Sequence, residues 1–132
     1  MSAAAMGATA FQKGLGAIHA MSHPVGAVFN THHGTTNAVC MPAVLAFNAD
    51  AIRGRFDQAA AYLGIDGGFD GFCEFVQQFN DSFAIPRTLT EMGVSADRLD
   101  DLVAMALEDP SCGGNPVELT ADSLRGLFRA CF

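Results

Sequence analysis

Residues 14–34 read GLGAIHAMSHPVGAVFNTHHG and contain every histidine of the chain, namely His19, His23, His32 and His33. His19 and His23 are four residues apart, so on a helix they share one face, one turn from each other. Pro24 disfavours helical geometry at His23, which predicts that the helix kinks or ends there. The segment Asn30–Gly34 reads as a turn that could fold the second histidine pair back toward the first.

The histidine cluster has two interpretations. Neutral imidazole is a common ligand of zinc, iron, copper and nickel, and an open coordination position makes such a site catalytic. Two histidines spaced by four also occur by chance on many helices, where each is a hydrogen-bonded core or surface residue. The spacing alone leaves both interpretations open.

Composition limits the class of protein. The 132 residues are enough for one domain with its own core, and 50% hydrophobic against 16% charged residues argues against disorder. The net charge of −7 makes nucleic acid and anionic membranes poor candidates for partners. No Asp or Glu occurs before Asp50, which suggests that the first part of the chain is buried.

The four cysteines, Cys40, Cys73, Cys112 and Cys131, are scattered and form no CxxC pair. We expect free thiols in a reducing compartment, and hence a cytoplasmic protein. The N-terminus has neither a basic region nor a long apolar block, so we expect no signal peptide and no membrane span.

Apolar periodicity predicts an all-α array of about six helices in a single domain, residues 1–132, without a convincing strand. We expect a helix over residues 2–22, and a second over 34–47 that Pro42 kinks or begins. Asn48–Asp50 should then restart the chain in a third helix that Gly64 ends.

The second half of the chain continues the helical pattern. Phenylalanines recur from Phe69 to Phe83 at helical spacing, and we expect this stripe to be core. Thr88–Met92 should form a short turn closed by Gly93. Ser95 should cap a helix whose buried face includes Leu107, and Pro110 should stop that helix. Thr120 should cap the last helix.

Two motifs together resemble the iron-containing (group III) alcohol dehydrogenases. The first is residues 14–34 continuing through TNAVCMPAVLAFN at 36–48, and the second is EDPSCGGNPVELT at 108–120. The resemblance covers nearly the whole chain in order. It implies the C-terminal helical domain of an enzyme that interconverts alcohols and aldehydes with NAD(P) and Fe²⁺, with Zn²⁺ as a possible substitute.

The resemblance implies roles for three histidines. His19 and His33 match the metal ligands, and His23 matches the histidine beside the nicotinamide, with a catalytic and cofactor-binding role. His32 stands where many members have proline and receives no role. Cys112 is expected to be a structural loop thiol, and Glu108 and Asp109 a solvated helix end, whereas Phe29 could equally line a substrate pocket or pack.

The rest of that family's pattern is missing from this sequence. Its N-terminal NAD(P)-binding α/β domain and the two other metal ligands, an aspartate and a histidine, have no counterpart here. We therefore expect a partial domain that binds metal weakly or not at all and is inactive alone, and that self-associates into a homo-oligomer.

Two other functions compete with this one. The chain could be a non-catalytic helical interaction or dimerisation module derived from the family. A small histidine–metal hydrolase would need a carboxylate near the histidines, which the first 49 residues lack.

Overall fold

The computed structural model describes residues 1–132 apart from the side chain of Ala3. Within these residues six α-helices and no strand are found, which confirms the all-α prediction. The helices are α1 (Ser2–Phe11), α2 (Ala17–Phe29), α3 (His33–Leu63), α4 (Gly68–Ser82), α5 (Leu99–Glu108) and α6 (Ala121–Cys131). Short 3₁₀ helices lie at Thr90–Met92, Ala96–Arg98 and Pro110–Gly114.

The helix boundaries predicted at Gly64, Gly93 and Thr120 are confirmed. Gly64 follows α3 in the left-handed region, with φ of 70°, where glycine has no steric penalty. Gly93 closes the turn at Thr90–Met92 in the same way, with φ of 81°. Thr120 forms a reciprocal capping box with Ser123 at the start of α6.

The single helix predicted over residues 2–22 is wrong. Helix α1 ends at Phe11, and Gly14 has a φ of 93°, which an α-helix excludes. Gly16 then begins α2 with extended geometry, and a Cβ there would lie 3.1 Å from Asn115 Oδ1. The glycine therefore permits a close approach between the start of α2 and the loop that carries Asn115.

A helix end at Pro24, a helix start at Pro42 and the restart of the chain at Asn48–Asp50 are not found. Pro24 lies inside α2, and Pro42 lies inside α3, which runs unbroken for 31 residues. A proline inside a helix removes one backbone hydrogen bond. Pro24 is itself buried beside Met21 and Val25, and burial of this apolar face offsets the loss.

The main core lies between α2, α3, α5 and α6. Its largest fully buried side chains are Phe128, Met21, Leu89, Leu102 and Leu124. A second, smaller cluster joins α3 to α4 through Leu45, Phe69 and Val76. Helix α3 thus spans both clusters, with the histidine-rich segment at its N-terminal end.

The phenylalanine stripe of α4 is core at one end only. Phe69 is 4% exposed, but Phe79 is 53% exposed and Phe83 is 65% exposed. Consecutive rings remain in contact along the face, with centroids 5.0 Å apart for Phe79 and Phe83. Leu107 is likewise exposed on α5, contrary to the prediction.

None of the helices described combines the length and the apolar character that crossing a membrane requires.

Candidate active site

Three of the four histidines meet at the junction of α2 and α3. His19 and His23 lie one turn apart on α2, and His33 is the first residue of α3. The ring centroids of His19 and His33 are 5.2 Å apart, and that of His23 lies 5.6 Å from each. Asn30 ends α2 in the left-handed region, with φ of 53°, and this sharp turn brings His33 back against α2.

His32 does not join this cluster. It precedes α3 as an exposed cap residue, and its Nδ1 accepts a hydrogen bond from the backbone N–H of Thr35. The expectation that the turn folds both later histidines back is therefore correct for His33 and wrong for His32.

Asn37 shows how the rings of His19 and His33 are oriented. Its Nδ2 lies 3.1 Å from Nε2 of His33 and 3.4 Å from Nε2 of His19. An amide nitrogen is only a donor and has two hydrogens, so each Nε2 faces it with a lone pair. Two imidazole lone pairs thus converge on one point, which is the arrangement a metal ion requires of two ligands.

The surroundings favour the uncharged form of His19. Burial lowers its pKa, and the neighbouring His33 and His23 lower it further by charge repulsion. Neutral imidazole is the form that binds metal. The geometry and the protonation of His19 therefore suit the same task.

The residue that sequence reasoning missed is Asp109. Its Oδ2 lies 2.8 Å from Nδ1 of His23, and its side chain is 14% exposed, against 41% for His23. Its Oδ1 accepts a hydrogen bond of 2.8 Å from the backbone N–H of Ser111. Asp109 is therefore a bonded member of the histidine site, and the prediction of a solvated helix end is wrong for it.

Two opposing effects act on the Asp109 carboxyl. Burial raises its pKa, but the hydrogen bonds from Ser111 and His23 outweigh burial, and the net effect lowers the pKa below its usual value. Asp109 is thus a carboxylate at neutral pH and supplies the site with a fixed negative charge.

One local signal for Asp109 was available in the sequence. An aspartate directly before Pro110 and Ser111 is typical of a cap whose side chain accepts a backbone N–H, as it does here. Its second oxygen is then free for another partner. The identity of that partner, 86 residues away, depends on the packing of α2 against α5 and the following 3₁₀ helix.

His19 and His33 bring two imidazole nitrogens to one point, which is fewer ligands than a metal site needs. In the part of the chain that the structure describes, no three His, Cys, Asp or Glu side chains are arranged to hold an ion. The buried Oδ1 of Asn37 has no hydrogen-bond partner among the described residues. It leaves one uncompensated polar atom beside the two converging nitrogens.

Cys112 and Phe29 have structural contacts. The thiol of Cys112 donates to the backbone carbonyl of Ala106 at 2.9 Å, and burial raises its pKa. Phe29 packs against the main core. Both contacts stabilise the loops and helix ends around the site.

The fold and site together define an all-helical domain with a histidine cluster at the entry to its longest helix. The model of the Fe-containing alcohol dehydrogenase family, C-terminal part, matches residues 1–132, so the chain belongs to that family.

Individual relatives agree with the family assignment. The chain is 41% identical to 4-hydroxybutyrate dehydrogenase of Cupriavidus necator, over 97% of this chain and 36% of that protein. It is 33% identical to NAD-dependent methanol dehydrogenase of Bacillus methanolicus, over 94% of this chain and 35% of that protein. The solved structure of a 1,3-propanediol oxidoreductase superposes with a TM-score of 0.83 and 28% identity, over 89% of this chain and 33% of that one. The chain therefore spans about a third of the length of these relatives.

Proposed function

We propose that this chain is the metal-binding part of an iron-dependent alcohol dehydrogenase, with His19 and His33 as metal ligands. The observation that carries the proposal is the convergence of the Nε2 atoms of both residues on Asn37 Nδ2. Fe²⁺ is the metal expected from the family name, and Zn²⁺ also suits imidazole ligands.

His23 is the proposed catalytic residue and would lie beside the nicotinamide of NAD(P) in the intact enzyme. The bound metal would act as a Lewis acid on the oxygen of an alcohol or aldehyde substrate and so favour hydride transfer. His23 would hold or move the hydroxyl proton, since its Nδ1 is bonded to Asp109 and its Nε2 remains available. The NAD-dependent relative from Bacillus methanolicus supports the choice of cofactor.

The remaining metal ligands and the NAD(P)-binding domain would come from outside these 132 residues. Two histidines do not complete a site that needs three or four protein ligands. We therefore propose that the chain alone binds metal weakly or not at all and has no dehydrogenase activity. The length of the relatives, about three times that of this chain, supports this division.

The alternative function is a non-catalytic helical module that mediates self-association. Its support is the apolar surface: Met6 and Phe11 of α1 are exposed, as are Phe75 and Phe79 of α4. Covering such surfaces favours a homo-oligomer. The two functions are compatible, because the apolar surface and the histidines occupy different elements.

We further propose a cytoplasmic location for the protein. All four cysteines are free thiols, which supports a reducing compartment.

Titration of the chain with Zn²⁺, followed by NMR of its ¹⁵N-labelled imidazoles, tests the proposed ligands even when binding is weak. We expect the Nε2 signals of His19 and His33 to shift together, and the response to disappear in the His19→Ala and His33→Ala variants. His32→Ala is the matched control, because His32 is adjacent in sequence and its Nδ1 is bonded to Thr35 outside the cluster. This variant should respond as the unchanged chain does.

Two results would oppose the proposed ligands. One is a titration to millimolar Zn²⁺ in which other side chains respond and neither His19 nor His33 does. The other is a response that depends on His32.

A further inference from the structure

We propose that Asp109 is the positioning residue of His23 and holds the imidazole with its hydrogen on Nδ1, so that Nε2 is the atom that accepts a proton. The inference rests on the proposed catalytic role of His23. It adds a residue from the far end of the chain to the site, and it assigns the proton-accepting atom.

The first step is that the Asp109 carboxylate cannot rotate freely. Its Oδ1 is bound to the backbone N–H of Ser111 at 2.8 Å, and this N–H belongs to the 3₁₀ helix that Asp109 caps. Its Oδ2 is therefore held in one direction, toward Nδ1 of His23 at 2.8 Å. Since Pro110 follows directly and limits the backbone of Asp109, the main chain adds to this restraint.

The second step concerns the hydrogen between the two residues. An ionised carboxylate only accepts hydrogen bonds, so His23 must donate from Nδ1. In neutral imidazole the other nitrogen then has the lone pair. The ring plane is also restrained, because it stacks on His33 at an interplanar angle of 14°.

The third step is the chemistry that this geometry allows. When Nε2 of His23 accepts the hydroxyl proton of an alcohol, the O–H bond breaks, its electron pair stays on oxygen, and an N–H bond forms. His23 then becomes a cation, and Asp109 stabilises it at hydrogen-bond distance. A carboxylate that orients and stabilises a histidine in this way has a well-studied counterpart in the serine protease triad.

The variant Asp109→Asn tests the assignment in the 132-residue chain. The amide has one acceptor oxygen, which the cap requires for the N–H of Ser111, so its NH₂ group faces Nδ1 of His23. Nδ1 must then accept, and the hydrogen moves to Nε2. We expect ¹⁵N NMR of neutral His23 to show predominantly Nδ1–H in the unchanged chain and predominantly Nε2–H in Asp109→Asn.

A second variant separates positioning from folding. Serine can cap the 3₁₀ helix but is too short to reach the ring, so Asp109→Ser should fold and show a mixture of both His23 tautomers. Glu108→Gln, which removes the adjacent exposed carboxylate, should leave the Nδ1–H form unchanged. A His23 that is mainly Nε2–H in the unchanged chain, or the same tautomer in all variants, would overturn the proposal.

This measurement is independent of the test of the proposed function. The tautomer of His23 is read without metal or nicotinamide, whereas the ligand roles of His19 and His33 are read from the Zn²⁺ titration. A tautomer switch, together with Zn²⁺ binding at side chains other than His19 and His33, would support Asp109 as the residue that orients His23 and contradict only the proposed metal ligands. A Zn²⁺ response at His19 and His33, with the same His23 tautomer in all variants, would support the metal ligands and contradict the role of Asp109.

Discussion

Asn48 and Asn115 bind each other through both ends of their amides, although 67 residues separate them. Nδ2 of Asn48 donates to Oδ1 of Asn115 at 3.0 Å, and Nδ2 of Asn115 donates to Oδ1 of Asn48 at 2.9 Å. Oδ1 of Asn115 also accepts from the backbone N–H of Ala17, at the start of α2. The pair thus joins α3, the histidine-bearing α2 and the loop that follows Asp109.

Loss of this amide pair should weaken the fold. Asn48→Ala removes both hydrogen bonds of the pair and leaves Asn115 with only its bonds to the backbone of Ala17 and Val117. The loss of two part-buried hydrogen bonds should lower the free energy of unfolding by about 1–3 kcal/mol. Urea unfolding followed by circular dichroism measures the change. Gln77→Ala, an exposed position on α4, is the control and should change stability by less than about 0.5 kcal/mol. Equal stability of the two variants would show that the pair contributes little.

Two helical glycines should respond in opposite directions to alanine. At Gly54, inside α3, a Cβ would meet no described atom within 4 Å, so Gly54→Ala should stabilise the protein by about 0.5–1 kcal/mol. At Gly71 a Cβ would overlap the backbone carbonyl of Asp66, so Gly71→Ala should destabilise it. Thermal unfolding of the two variants is the measurement, and a shift of the same sign in both would contradict the packing described around Gly71.

The phenylalanines of α4 provide a prediction on self-association. Phe79→Ala should cost little stability, because the ring is 53% exposed, and should reduce association at high concentration if this face is an interface. Phe69→Ala should cost about 3–5 kcal/mol, since Phe69 is buried. Sedimentation velocity measures association and urea unfolding measures stability. A monomer at all concentrations, before any substitution, would argue against the oligomer.

Asp109 should make stability depend on pH in the acid range. Its folded pKa lies below the ordinary value of 3.8, so it stabilises the fold fully above pH 3.8. This contribution is lost as the pH falls from 3.8 through the folded pKa. The difference in unfolding free energy between the unchanged chain and Asp109→Asn should therefore shrink over that range. Parallel pH curves for the two proteins would contradict the assigned shift.

The sequence predicts well those features that depend on a single residue and its neighbours. The helix end at Gly64, the cap at Thr120 and the stop before Pro110 all follow from local backbone chemistry, and all are confirmed. Family resemblance identified the family correctly. It also named the three histidines that the structure brings together, whose roles stay proposals.

Features that depend on tertiary packing were not predictable in the same way. Pro24 and Pro42 oppose the helix locally, yet packing of the apolar faces around them keeps α2 and α3 continuous. The helical spacing of the phenylalanines predicts an apolar face on α4, but not how much of that face another helix covers. The partner of Asp109 depends on the arrangement of three separate segments, which no local pattern encodes.

The separation of 86 residues between His23 and Asp109 has a consequence for how the protein reaches its native state. Joining positions so far apart in sequence closes a long loop, and the entropy of that closure must be offset by contacts made elsewhere first. Helices α2 and α3 can meet early through the short turn between them, and this already assembles His19 with His33. The His23–Asp109 pair forms only when the last third of the chain has docked. We therefore expect the two proposed metal ligands to come together first during folding and the proposed proton acceptor to be oriented last.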